Sequence, residues 1–182
     1  MDKLFATKMV GANPEEKRSA VDFYPTPPEA TEALLRFLHL PKETVIWEPA
    51  CGEMDMASAI QRAGYSVIAT DLIYGQNFLT EPLHDCDWII TNPPFTIADK
   101  FIERCTEHGK PFAMLLKSHY WHARKRYDLF TKVTPTFVCP LTWRPNFMFK
   151  KREKRSSPLM DMMWCVWEPP YDQKTVYHLL NK

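Results

Sequence analysis

No stretch of this chain approaches the roughly 20 consecutive apolar residues of a membrane-spanning helix. Its opening residues, MDKLFATKMVGANPEEKRSA, also lack the apolar core of a secretory signal. The expectation is therefore a cytoplasmic protein rather than a membrane or exported one. Cysteine is sparse and unpaired in pattern: Cys51, Cys86, Cys105, Cys139 and Cys165 contain no C-x-x-C spacing. That argues against a disulfide framework and a zinc site, and suits reduced thiols. There is no internal repeat and no low-complexity tract, which excludes a solenoid. What remains is a chain of 182 residues, 45% hydrophobic and 25% charged, the composition and length of one globular domain.

Charge is distributed unevenly. The net charge is +1, yet Lys117 to Arg155 holds 11 Lys and Arg against 2 Asp and Glu, a local balance of +9. The remainder carries −8. Polyanions respond to local fields, which the whole-chain pI hides. Aromatic residues interleave the cations, as in His119-Tyr120-Trp121 followed by Arg124-Lys125-Arg126-Tyr127, and again in Trp143-Arg144-Pro145-Asn146-Phe147. Cations for phosphates and rings for bases are what a nucleic-acid surface requires. A solvated basic face has the same composition.

Periodicity suggests alternating elements. Residues 1–22 show none and read as an N-terminal arm. Thr26-Pro27-Pro28-Glu29 has the form of an N-cap, a proline at the first helical position and a capping-box acid, so a helix is expected up to Pro41. Strands are expected at 44–47, 65–70, 88–91 and 112–116, with helices at 55–63 and 97–108 and a further helix within 120–130. Thr136–Leu141 and Met160–Trp167 read as late strands around a basic loop at about 144–157. Strands that are apolar without alternation imply a mostly parallel sheet covered on both faces, an α/β fold, to which the late pair adds an antiparallel edge.

In open α/β sheets ligands bind beyond the carboxyl ends of the strands. Three such ends carry polar signatures. The first is Glu48-Pro49-Ala50-Cys51-Gly52, where the glycine permits close backbone approach and a helix N-terminus follows. The second is Asp71, 19 residues after Gly52, near the spacing at which dinucleotide folds place a ribose-binding carboxylate. The third is Asn92-Pro93-Pro94-Phe95, in which two prolines stiffen the backbone that presents Asn92.

In these three segments the chain resembles the S-adenosylmethionine-dependent amino-methyltransferases, in particular the N6-adenine DNA methyltransferases. Their signature of Asp, Asn or Ser followed by Pro-Pro-aromatic matches Asn92-Pro93-Pro94-Phe95. Their acidic-Pro-x-x-Gly cofactor loop resembles Glu48 to Gly52, their ribose-binding acid Asp71, and their adenine-contact segment Asn77-Phe78-Leu79. A further motif, an aromatic residue before Thr-Pro-Pro, is similar to Phe23-Tyr24-Pro25-Thr26-Pro27-Pro28, and the motif order is that of the gamma class. The resemblance is close over residues 23–116 and loose beyond. It departs at Met54, where many relatives carry a second glycine; a side chain there is expected to crowd the cofactor or shift the turn.

The resemblance implies a Rossmann-like class I methyltransferase fold, with one catalytic domain over 23–182. Many relatives carry a separate target-recognition domain, but the stretch between Leu116 and Trp164 has room for a loop and not a domain, so none is expected. It implies S-adenosylmethionine as cofactor, S-adenosylhomocysteine as product and no metal. Tyr24, Thr26, Glu48, Pro49, Ala50, Cys51, Gly52, Asp71, Leu72, Asn77, Phe78 and Asn92 would hold the cofactor. Asn92 and the Pro93 carbonyl would accept the hydrogens of the target amino group, Pro94 would stiffen the loop, and Phe95 would stack on a base flipped out of double-stranded DNA. Lys117, His119, Tyr120, Trp121, Arg124, Lys125, Arg126, Arg144, Lys150, Lys151 and Arg152 are the candidate nucleic-acid contacts. A monomer or homodimer with a short recognition sequence is expected, in a bacterium or phage-infected cell where self-methylation protects DNA from restriction. RNA bases, protein glutamines and a non-catalytic nucleic-acid-binding role stand as alternatives.

Overall fold

The computed structural model describes residues 24–148 and 160–182. The expected arm at 1–22 and most of the basic loop, including Lys150, Lys151 and Arg152, lie outside the described residues. Helices α1 (Pro28–Leu38), α2 (Asp55–Arg62), α3 (Ala98–His108) and α4 (Tyr127–Lys132) are connected by strands β1 (Val45–Glu48), β2 (Ser66–Ala69), β3 (Trp88–Thr91), β4 (Phe112–Lys117), β5 (Phe137–Pro140), β6 (Met162–Trp167) and β7 (Val176–Tyr177). The sheet order is β2-β1-β3-β4-β6-β5-β7. Strands β2, β1, β3 and β4 run parallel, and β6 enters antiparallel between β4 and β5. The mostly parallel α/β sheet expected from the apolar strands is present. Its antiparallel strand lies inside the sheet, with β5 and the short β7 beyond it.

Side-chain alternation explains why the strands read as continuous apolar runs. Ile46, Ile90, Ala113, Leu115, Trp164 and Val166 face one core with Leu34, Met56 and Ile60 from α1 and α2. Their neighbours Trp47, Ile89, Met114, Leu116, Cys165 and Trp167 face a second core with Phe101 and Ile102 from α3. Both faces are covered, so neither can be polar. At about 25 cal/mol per Å² of apolar surface removed from water, these two layers supply the main favourable term in folding.

The start of α1 differs from the sequence expectation. Pro27 occupies the cap position and no side-chain cap forms. Thr26 does not serve as the capping residue because its hydroxyl is engaged elsewhere, as described below. The helix expected within 120–130 is present as α4, which starts at Tyr127 and is preceded by 3-10 turns at Ser118–Trp121 and Arg124–Arg126. Among the described residues, no helix is long and apolar enough to cross a membrane.

Candidate active site

The carboxyl ends of β1, β2, β3 and β4 deliver Glu48, Ala69, Thr91 and Lys117 to one edge of the sheet. The ends of the basic loop return to that edge too, because Pro140 pairs with Met163, and Ser118 N–H donates to the Asp161 carbonyl (2.9 Å). Parallel pairing alone therefore gathers the three polar signatures.

Asn92 follows β3 directly. Its Nδ2 donates to the Tyr24 carbonyl (3.1 Å) and to the Thr26 hydroxyl (3.0 Å). A carbonyl only accepts, so the amide nitrogen must face Tyr24 and the amide cannot be flipped. Asn92 Oδ1 is consequently turned the other way; it is buried and has no partner among the described residues. A buried acceptor without a donor costs on the order of 1–3 kcal/mol, which a ligand N–H would recover. The Tyr-Pro-Thr segment ahead of α1 is thus the device that orients Asn92, 66 residues away in sequence. The Pro94 carbonyl accepts Ile97 N–H (3.1 Å) and begins the turn that carries Phe95. The Phe95 ring lies 5.4 Å from Tyr24, and Lys117 Nζ sits 4.6 Å from its centroid. Tyr24 also meets Phe147 edge-on at 5.9 Å, so the base of the basic loop abuts the same cluster.

The second half of the site surrounds the β1 turn. Glu48 is 2% exposed, and its Oε2 has no partner among the described residues. Burial raises its pKa well above the usual carboxyl value, and Asp71 and Asp55 add to the rise; the Ala57 backbone hydrogen bond opposes it. The Asp71 carboxylate bridges the two strand ends, Oδ2 accepting Gly52 N–H (2.8 Å) and Oδ1 accepting Ile73 N–H (2.9 Å). Gly52 has φ +49° and Met54 φ +69°, so both adopt the left-handed conformation that glycine favours. Met54 therefore takes the backbone shape of the missing second glycine at a steric cost of roughly 1–2 kcal/mol. The Cys51 thiol is pushed up to about 12, first by burial and then by Glu48 and Asp71. A thiol so protonated is a poor nucleophile.

The remaining sequence candidates divide. Leu72 follows Asp71 and is exposed, while Asn77 is exposed with Oδ1 accepting Leu79 N–H. Phe78 is not presented to the cleft: it is 2% exposed and packs between Trp47 and Phe101. Pro49, Ala50 and Cys51 line the turn itself. In the basic region Tyr120 turns inward and is buried, and Arg126 stacks over its ring at 3.7 Å while donating to its carbonyl (2.8 Å). Those two residues hold the fold rather than present a surface. Trp121 packs on Phe130, Arg144 pairs with Asp161 (2.7 Å), and Arg124 and His119 are exposed. His119 has its pKa lowered by burial, then by Lys117. The side chain of Lys125 lies outside the described residues. Sequence reasoning missed Tyr74, whose hydroxyl donates to the Gly52 carbonyl (3.0 Å), and Asp55, whose charge acts on Glu48. Asp55 ends the same strand-to-helix turn as Glu48, whereas Tyr74 belongs to no motif and only the packing of separate turns reveals it.

No protein-family model and no curated protein matches the chain. Solved structures do. A candidate class I S-adenosylmethionine-dependent methyltransferase from Listeria monocytogenes has a TM-score of 0.56 at 16% identity, covering 86% of this chain and 65% of that one. The M protein of the type I restriction enzyme EcoKI has a TM-score of 0.56 at 13% identity, covering 90% and 50%. A dimethyladenosine transferase from Plasmodium falciparum has a TM-score of 0.56 at 13% identity, covering 79% and 62%. At such identities the likeness is one of architecture: the fold is the Rossmann-like class I methyltransferase fold. The chain spans 50% to 65% of the length of these three structures.

Proposed function

We propose that this protein transfers a methyl group from S-adenosylmethionine to the exocyclic N6 amino group of adenine in DNA. The observation that carries the reading is Asn92, an amide locked by Tyr24 and Thr26 so that a buried Oδ1, without a partner among the described residues, faces away from its anchors. Adenine N6 is a weak nucleophile because its lone pair is delocalised into the ring. A fixed acceptor for one of its hydrogens holds the nitrogen pyramidal and localises that pair. The Pro93 carbonyl, in the same proline-stiffened loop, would take the second hydrogen. Asn92 is no base at neutral pH, so the proton passes to solvent after the new bond forms.

The residues around the β1 turn fit the cofactor. Its sulfonium and ammonium are cationic, Asp55 and Asp71 make this turn electronegative, and one carboxyl oxygen of Glu48 is buried without a partner among the described residues. Asp71 keeps acceptor capacity for a ribose hydroxyl, since each of its oxygens takes one backbone N–H. Bound there, S-adenosylmethionine supplies an electrophilic methyl group and leaves as S-adenosylhomocysteine. Phe95 offers its ring to a flipped base, a contact worth about 1–3 kcal/mol. DNA is favoured over a protein substrate by the +9 segment, which begins at Lys117 on the edge that carries Asn92. Two of the fold neighbours are named for a restriction-enzyme M protein and for dimethyladenosine transfer, which agrees with an adenine substrate.

The test is incubation with labelled cofactor and unmethylated DNA, followed by nucleoside analysis. N6-methyladenine is the expected product. N4-methylcytosine would reassign the base, and label found only in RNA, only in protein or nowhere would refute the proposal.

A further inference from the structure

The geometry points to Tyr74 as a positioning residue for the cofactor turn, an inference that rests on the methyltransferase reading above. Gly52 is held on both sides. Its N–H donates to Asp71 Oδ2 (2.8 Å), and its carbonyl accepts the Tyr74 hydroxyl (3.0 Å). Both partners come from the segment that follows β2, and that segment is itself rigid. Asp71 caps the 3-10 turn Leu72–Tyr74, and the Asp71 carbonyl accepts the N–H groups of Tyr74 (3.0 Å) and Gln76 (3.1 Å). The two peptide planes flanking Gly52 are thereby tied to one external frame.

Burial does not account for where Tyr74 lies. Tyr74 is 58% exposed, and Leu72 and Ile73 just before it are exposed as well. An exposed aromatic side chain gains little from packing, so the hydroxyl contact is what sets its position. The turn needs that support because of Met54. Its left-handed φ of +69° opposes the preference of any residue with a Cβ, and it sits where Cys51 O accepts Met54 N–H (2.8 Å) to close the turn. A turn with an unfavourable residue at its exit relaxes unless something outside holds it. Tyr74 does so without contacting the reacting atoms, by fixing the Gly52 backbone against which the cofactor lies.

Tyr74→Phe keeps the ring and removes the hydrogen bond, and two measurements on the full chain test the assignment. Hydrogen exchange of the 51–54 amides, without cofactor, is expected to accelerate about fivefold, the equivalent of one ordinary hydrogen bond. S-adenosylhomocysteine affinity by calorimetry is expected to weaken by a similar factor, with KM for S-adenosylmethionine rising and kcat unchanged. Tyr74→Ala should behave no worse than Tyr74→Phe if the hydroxyl is what matters. Unchanged exchange and unchanged affinity in Tyr74→Phe overturn the inference, as does a fall in kcat at constant KM. Should the unmutated protein bind no S-adenosylhomocysteine, the functional reading fails, and the exchange rates still decide whether Tyr74 holds the turn.

Discussion

Truncating Asn92 to alanine removes the acceptor and the two bonds that orient it, and these have separable consequences. The lost Oδ1 is a fixed acceptor for the reacting amino group, and its loss should lower kcat about 10²–10³-fold, as loss of one preorganised oxyanion-hole donor does. The lost Nδ2 bonds take one donor from the Tyr24 carbonyl and one from the buried Thr26 hydroxyl. At about 1 kcal/mol for each, the protein is destabilised by about 2 kcal/mol, or a melting shift of about 4–8 °C for a domain of this size. The measurements are single-turnover methyl transfer to unmethylated DNA, circular-dichroism melting, and titration with S-adenosylhomocysteine. The β1 turn is built from other residues, so cofactor affinity should fall less than threefold, roughly half a hydrogen bond. Thr26→Val separates the two roles. It deletes one anchor and leaves Oδ1 in place, so it should lower kcat only about fivefold. Methyl transfer by Asn92→Ala within tenfold of the unmutated protein would refute the assignment of Asn92, and loss of activity traced to unfolding alone would remove its support.

The acidic turn predicts a pH dependence. The raised pKa of Glu48 means that the folded state keeps a proton the unfolded chain releases above 4.5, so stability declines as pH rises past that value and levels off once the folded carboxyl ionises. Glu48→Gln should flatten this decline in melting curves and weaken binding of the cationic cofactor; a wild-type curve equally flat would contradict the burial argument. Met54→Gly should raise the melting temperature by about 2–4 °C, because glycine accepts the left-handed backbone at φ +69° without a Cβ clash worth about 1 kcal/mol. A lower melting temperature would show that the Met54 side chain contributes more by packing. Arg124 and Arg126 should behave differently although they are two residues apart. Arg124→Ala should reduce the salt dependence of DNA binding by about one unit of slope at unchanged stability, whereas Arg126→Ala should mainly destabilise through the lost Tyr120 contacts. Equal effects on the salt slope would show that Arg126 also meets phosphate.

Much of the fold was legible because it rests on local patterning. Apolar runs such as Trp88–Thr91 and Phe112–Leu116 could only be strands buried on both faces, and the structure places them side by side and parallel. Boundaries were less legible where a side chain had competing uses. Thr26 has the spacing of a helix cap, yet its hydroxyl binds Asn92, and α1 starts after an uncapped proline. Tyr120 and Arg126 sit in a stretch that composition marks as surface. Their mutual stacking turns them inward, because an aromatic face and a guanidinium satisfy one another better than water does. The short β7 left no signal at all: two residues cannot establish a period.

The sequence by itself determined the chemistry available: Asn92 behind two prolines, acids at two strand ends, a glycine at one turn, and cations concentrated after β4. These are properties of residue type and near-neighbour spacing, and they survive without coordinates. Only the tertiary structure decided how that chemistry is aimed. The direction of the Asn92 amide is set from 66 residues away, Asp71 adds its charge to the β1 turn from the segment after β2, and Gly52 is held by Tyr74 across a gap of 22 residues. Each depends on through-space distances of a few ångströms, which the parallel sheet creates and linear spacing does not encode.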